Sequence, residues 1–341
     1  MAQQWYDGFS IMAVAQIMAE GNLHIVTGGA GFVSRTLIKR LLAAGDSVAA
    51  MDNLRRGAMR NIEEFSGNPR FAFARVDASD HDALDKAFGA ALRGKTGNEV
   101  LVWHMAANSD ILAGVNDPEI DLRDTYMTTH CTLRVMRNYG LRRIAFASSS
   151  AVYGPLDTKL HEDIGPLFPI SNYGAMKLAS EGAISAAVEG YLERASIFRF
   201  PNVVGAFATH GVIYDFARKL RHNPAELEVL GDGEQQKSYL LVDELVDAML
   251  FIEKNAMQEL SYFNIGPPDV GVTVRFIAEE TIRVASPAAH IRYTGGDRGW
   301  VGDVPKFNYS TQKLAALGWT PRLSSADAIR AAIPLIWRES E

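Results

Sequence analysis

Three consecutive hydroxyls, Ser148, Ser149 and Ser150, follow the apolar run Ile144-Ala145-Phe146-Ala147. That run reads as a buried strand, which puts the serines at its carboxyl end, where open α/β sheets bind ligands. Downstream, Ser171 and Asn172 have the character of helix-start residues ahead of a small-residue helical stretch that runs to about Glu189. Tyr173 and Lys177 lie four apart in that stretch and so share one helix face. A free phenol titrates near ~10, and a neighbouring ammonium favours its anion. Facing a serine hydroxyl, such a pair makes a base able to take a proton from an alcohol. Tyrosine and lysine at this spacing are common on helices, so the meaning depends on what positions them.

Upstream, Leu23-His24-Ile25-Val26 is a short apolar strand, followed by the turn Thr27-Gly28-Gly29-Ala30-Gly31-Phe32-Val33-Ser34 and a helical pattern through Leu42. Strand, glycine turn and helix form an anion site, because backbone N–H groups at a helix N-terminus can approach a pyrophosphate. The next strand, Ser47 to Met51, ends at Asp52. An acidic side chain there can accept hydrogen bonds from an adenosine ribose and would repel a 2′-phosphate; its other reading is a turn or cap residue. Arg55 and Arg56 stand close by, and arginines can hold a 2′-phosphate. A third strand, Phe71 to Val76, leads to Asp77, and a fourth, Val100 to Met105, leads to Ala106-Ala107-Asn108-Ser109-Asp110. A long helical stretch, roughly 118 to 138, returns the chain to the serine strand. This alternation predicts an α/β fold with a doubly wound parallel sheet.

Composition limits the other readings. The chain has 341 residues, 48% hydrophobic and 22% charged, with net charge −6, so neither nucleic acid nor a membrane is expected as a partner. The single cysteine, Cys131, excludes an internal disulfide framework and fits a cytoplasmic protein. Eight scattered histidines show no metal-ligand spacing, and no metal is expected. The apolar segment FSIMAVAQIMA (9–19) lacks a basic n-region and a cleavage site. Residues 1–21 therefore read as a leader ahead of the fold.

The motifs TGGAGF (27–32), DN (52–53), HMAAN (104–108), SSSAVYG (148–154), YGAMK (173–177) and RFPNVVG (199–205) occur in one order along the chain. In this order they resemble an extended short-chain dehydrogenase/reductase of the NAD-dependent nucleotide-sugar epimerase/dehydratase family, in particular its UDP-glucose 4-epimerase-like members. The resemblance runs from about residue 22 to the C-terminus. It implies a Rossmann-like NAD-binding domain over 22–200, against which 238–265 pack back. It also implies a smaller C-terminal α/β region for the substrate, mainly 201–237 and 266–341, and commonly a homodimer. The catalytic trio it implies is Ser149, Tyr173 and Lys177. Cofactor contacts are expected at Gly28, Gly31, Phe32, Val33, Asp52, Asn53, Asp77, Ala78, Ala106 and Ala107, with Tyr173 and Lys177 shared. The substrate, a nucleoside-diphosphate sugar, is expected at Ser109, Ser149, Ser150, Asn202, Lys237 and Arg298.

Four departures from the family pattern are visible. Ser34 replaces the third glycine of the turn, Thr128 stands near a frequent asparagine, and Lys237 stands where an arginine is common. Lysine offers a phosphate a point charge but no bidentate grip. Sugar-nucleotide 4,6-dehydratases usually carry Asp-Glu after the catalytic hydroxyl, and here those places are Ser150 and Ala151. The expected reaction is oxidation at C4 of the sugar with net 4-epimerisation. A 4-dehydrogenase that releases the keto sugar is the alternative, followed by a reductase of another alcohol or a non-catalytic NAD-binding regulator.

Overall fold

The computed structural model of the chain describes residues 21–93, 95, 97–156, 158–296 and 310–339. Residues 1–20, most of the expected leader, lie outside them. Seven strands form one sheet: β1 (Leu23–Thr27), β2 (Ser47–Asp52), β3 (Phe71–Arg75), β4 (Val100–His104), β5 (Arg143–Ala147), β6 (Arg194–Arg199) and an edge strand, Leu260–Asn264. From that edge the order is Leu260–Asn264, β6, β5, β4, β1, β2, β3. Leu23 pairs with Ser47 of β2 on one side and with Val100 of β4 on the other, both in parallel register. Strand order therefore reverses between β1 and β4, and the carboxyl ends there are where such sheets open for ligands. All residues of β1, β2 and β4 are buried. Covered on both faces, these strands read as continuous apolar runs rather than alternating ones.

Four helices matter for the site: α1 (Phe32–Ala43), α2 (His81–Leu92), α3 (Thr128–Asn138) and α4 (Asn172–Gly190). Helix α2 buries Leu84, Ala87, Phe88 and Ala91, the 3.6-residue stripe expected of a helix lying on a sheet. The buried face of α4 is different, because it includes Lys177, Ser180 and Glu181 beside Ile184 and Ala187. A helix that buries charge in this way needs internal partners. The single long helix expected over 118–138 is interrupted. A short helix, Pro118–Asp121, passes into a π-helical turn, Leu122–Met127, before α3 begins. Such turns widen the backbone spacing locally and often mark functional sites.

The described chain divides into two compact units. The first runs to Val152 and adds Ser171–Phe198 and Ala256–Tyr262; the second comprises Tyr153–Ile170, Arg199–Asn255 and Phe263 onward. Of the residues expected to return to the cofactor-binding region, 256–262 fall in the first unit and 238–255 and 263–265 in the second. Within the second unit, Glu226–Val229 pairs in parallel with His290–Tyr293, and Asn202–Val204 with Tyr239–Leu241. A buried polar knot ties this unit together. Tyr153 Oη donates to Asn264 Oδ1 at 2.7 Å, and Arg199 Nη1 donates to Tyr153 Oη at 3.0 Å. Among the described residues, no helix is long and apolar enough to cross a membrane.

Candidate active site

The serine run leaves β5 and turns at once into a 3₁₀ segment, Ser150–Tyr153. Ser148 and Ser150 are buried, while Ser149 keeps partial exposure. Helix α4 begins cleanly because Ser171 Oγ accepts the Gly174 N–H at 3.1 Å. This cap places Tyr173 in the first turn and Lys177 one turn on. The Ser149 hydroxyl lies beside the Tyr173 phenol, and Lys177 Nζ stands 5.8 Å from the Tyr173 ring centroid. The structure thus brings the three expected catalytic side chains together.

The electrostatics of the pair correct the expectation that Lys177 pulls the phenol down. Burial pushes Tyr173 up to about 12, with the Ser149 hydroxyl opposing the rise and Asp121 adding to it. Lys177 is itself pulled down to about 7, because burial outweighs the support of Glu181 and Asp121. Its ammonium donates to the Ala147 carbonyl at 2.5 Å and lies 4.7 Å from the Phe146 ring centroid. On its own, then, the protein holds a neutral phenol beside a lysine that is half charged near neutral pH. The physical reason is the low-dielectric wall of strand and helix around both groups.

Below them lies a layer of partners. Glu181 accepts a hydrogen bond from Ser148 Oγ. His104, fully buried at the end of β4, bonds Thr27 Oγ1 through Nδ1 at 2.7 Å and Thr129 Oγ1 through Nε2 at 2.9 Å. Burial, with Lys177 nearby, holds this imidazole down to about 3, so it stays neutral. Thr128, the departure in the helix, is buried, and its hydroxyl donates to the Thr125 carbonyl at 2.8 Å.

The expected cofactor residues lie in the first turn and at or just beyond the carboxyl ends of β2, β3 and β4. Gly28 has φ +66°, and a Cβ built on it would stand 2.7 Å from Ala106 N and 2.8 Å from Ala106 Cα. The glycine turn therefore lies directly on the end of β4, beside Ala106 and Ala107. Ser34, in place of the third glycine, donates its hydroxyl to the Gly28 carbonyl at 2.7 Å and pins the turn. Gly31 caps α1 without a side-chain hydrogen bond, and the first turn, with Phe32 and Val33, has no acidic residue. Among the described residues no side chain caps its N–H donors, and the helix dipole is left to favour an anion, as a diphosphate site requires. By contrast α2 is capped by Asp80 and α4 by Ser171.

Asp52 is buried at the end of β2. Its Oδ2 accepts the Ala30 N–H at 3.0 Å and its Oδ1 accepts the Leu54 N–H at 2.7 Å. Burial raises its pKa, against the pull of these two N–H groups. Each oxygen keeps acceptor capacity for a diol. Asn53 Nδ2 donates to Asp77 Oδ2 at 3.2 Å, which joins two expected cofactor residues, and Ala78 beside them is buried. Burial would raise Asp77, but bonds from Ser79 and Asn53 and the charge of Arg55 outweigh it and hold the carboxyl below its usual value. The nearby arginines are engaged elsewhere. Arg55 pairs with Asp124 at 2.6 Å and Asp77 at 3.3 Å, and Arg56 reaches Asp110 at 3.3 Å and Ser109 Oγ at 3.4 Å. The residues present fit an adenosine ribose diol and disfavour a 2′-phosphate. In side-by-side titrations the protein should bind NAD more tightly than NADP; the reverse order would make Arg55 or Arg56 a cofactor ligand.

In the second unit, Asn202 is exposed and pairs with Tyr239, two residues beyond Lys237. Lys237 lies in a two-residue strand paired with Val272. Arg298 lies outside the described residues. The sequence reading missed Asp121, Glu181, His104 and the hydroxyl of Ser34. Glu181 was within reach of it, since it continues the four-residue spacing of Tyr173 and Lys177 along α4. Asp121 was not, because Asp117, Glu119, Asp121 and Asp124 together resemble a solvated acidic face.

Comparison with known proteins identifies the family. The sequence profile of the NAD dependent epimerase/dehydratase family matches residues 24–266. The UDP-glucose 4-epimerase of Mycolicibacterium smegmatis is 27% identical over 337 residues, covering 93% of this chain and 99% of that protein. A crystal structure of a UDP-galactose 4-epimerase superposes with a TM-score of 0.80 at 33% identity, covering 93% of this chain and 99% of the other. The UDP-glucose 4-epimerase of Thermus thermophilus, solved in complex with NAD, superposes with a TM-score of 0.79 at 28% identity, covering 92% and 98%. The chain belongs to the NAD-dependent epimerase/dehydratase family of extended short-chain dehydrogenases/reductases, and it is an enzyme whose cofactor is NAD.

Proposed function

We propose that this enzyme interconverts C4 epimers of a UDP-sugar. The observation that carries the reading is the placing of the Ser149 hydroxyl beside the Tyr173 phenol with Lys177 one turn on, in a site whose serine motif continues as Ser150-Ala151. Without a carboxylic acid at 150 and 151, the acid and base of the usual 4,6-elimination are missing. The named activities of the relatives support uridine as the base.

In this reading Tyr173 takes the proton from the sugar O4 and later returns it, while Ser149 hydrogen-bonds the same oxygen and orients it. NAD, when bound, supplies the hydride acceptor, then the donor, and a positive ring that favours the phenolate. Lys177 adds its own charge beneath the tyrosine, and its fixed bond to the Ala147 carbonyl keeps it there. Gly28, Gly31, Phe32, Val33, Asp52, Asn53, Asp77, Ala78, Ala106 and Ala107 are the proposed cofactor contacts. Ser109, Ser150, Asn202, Lys237 and Arg298 are the proposed contacts to the nucleotide sugar.

A panel of UDP- and GDP-hexoses, pentoses, uronates and heptoses, with NAD in catalytic amount, tests this. NMR should show a C4 epimer of a UDP-sugar, with no build-up of absorbance from NADH. Stoichiometric NADH with a 4-keto product would make the enzyme a 4-dehydrogenase, and loss of water would sink both readings.

A further inference from the structure

Asp121 closes the short helix before the π turn and has no exposed surface. Its Oδ1 accepts hydrogen bonds from Asn108 Nδ2 at 2.9 Å and from Thr125 Oγ1 at 3.4 Å. Among the described residues nothing donates to Oδ2, which is buried as well. That oxygen fills the space that a side chain at position 114 would take: a Cβ on Gly114 would stand 1.7 Å from it. The Gly114 carbonyl accepts a hydrogen bond from Asn172 Nδ2 at 2.8 Å, at the first residue of α4. The carboxyl is thus built into the packing against the helix that carries Tyr173 and Lys177.

A buried carboxyl with an undonated oxygen is costly unless a cation offsets it. The charged and titratable groups around it are Lys177 and Tyr173 from α4 and Asp124 from the π turn. Lys177 in turn faces Glu181 on its own helix, the neutral His104 from β4, and Asp121. Glu181 already receives the Ser148 hydroxyl. Asp121 has no such donor at Oδ2, and Lys177 is the cation among its neighbours.

We propose that Asp121 is a positioning residue for the proton-handling pair: its carboxylate, seated in the gap left by Gly114, is the second counter-charge that keeps the buried Lys177 ammonium charged beside Tyr173. A negative charge favours the protonated form of both neighbours. Removing it should lower the titration midpoints of Lys177 and Tyr173 together and move the working range of the enzyme to lower pH.

The proposal rests on the roles given to Tyr173 and Lys177 above, so its test includes a readout that needs no substrate. Protein labelled with ¹⁵N at lysine Nζ gives the Lys177 signal, assigned by its loss in Lys177→Arg. In Asp121→Asn, an isosteric change, the Lys177 midpoint should fall by about 1 pH unit, and the kcat/KM profile should shift the same way. An unchanged Lys177 midpoint in a folded variant overturns the proposal, since a purely structural carboxyl would not move it. If no nucleotide sugar is turned over, the proposed function fails while the NMR titration still decides the role of Asp121. If Asp121→Asn does not fold, Glu181→Gln takes its place. There the Lys177 signal should still show an acid step from the remaining carboxyl, and its absence overturns the proposal.

Discussion

Replacing Tyr173 by phenylalanine should cut turnover by roughly 10²–10⁴-fold, the usual contribution of a positioned acid–base group. The substitution removes one hydroxyl and keeps the ring, so the stack of Lys177 under Tyr173 and the capped first turn of α4 stay intact. Ser149 loses its partner but not its place, because its Oγ also accepts the Ala151 N–H at 3.1 Å. The cofactor contacts proposed at Gly28, Gly31 and Asp52 lie on other elements, so NAD affinity should change little. Steady-state kinetics with an NAD titration of the same preparation checks both halves. Near-normal turnover would remove Tyr173 from the mechanism, whereas lost NAD binding would make its role structural.

The loss should also depend on pH in a definite direction. Burial holds the phenol up to about 12, so at neutral pH the base exists only to the extent that nearby positive charge draws its proton away. Activity of the natural protein should therefore rise with pH until Lys177, pulled down to about 7 in the protein alone, gives up its charge. Tyr173→Phe should lose the rising limb, because the group that titrates along it is gone.

The parts of the fold legible in the sequence were those whose signal is local. β1, β2 and β4 are apolar runs bounded by small or acidic residues, and each lies where its pattern puts it. Tyr173 and Lys177 were legible because four residues is one helical turn, whatever surrounds the helix. The direction in which those groups titrate was not, since it is set by burial from β5, α3 and the π turn, all distant in sequence. Asp121 escaped for the same reason. Its burial depends on Gly114 leaving room, and nothing in an acidic stretch reveals which carboxyl turns inward. In the second unit the paired strands Gln236–Lys237 and Val272–Thr273 are two residues each, too short for any period to show. Ser34 was legible as a departure, but its hydrogen bond to the Gly28 carbonyl, which stiffens the turn, was not.

The turn that Ser34 pins should tolerate no side chain at Gly28. A Cβ there would meet Ala106 N at 2.7 Å, Ala106 Cα at 2.8 Å and Met105 C at 2.9 Å. All three are backbone atoms of a chain already tied to β1, since Met105 N–H donates to the Thr27 carbonyl at 3.1 Å. No side chain can swing aside, so the turn or the end of β4 must move. The φ of +66° adds a left-handed conformation that costs an L-residue about 1–2 kcal/mol, and overpacking adds about 1–3 kcal/mol. Gly28→Ala should lower the melting temperature by several degrees and weaken NAD binding by at least about 10-fold, because the displaced atoms are those that line the proposed diphosphate site. Gly45→Ala separates strain from collision: its φ is +91°, yet a Cβ there meets nothing within 4 Å. That variant should lose some stability and keep its NAD affinity. Equal NAD binding in Gly28→Ala and Gly45→Ala, measured by calorimetry beside thermal melts, would show that the Gly28 turn does not line the cofactor site.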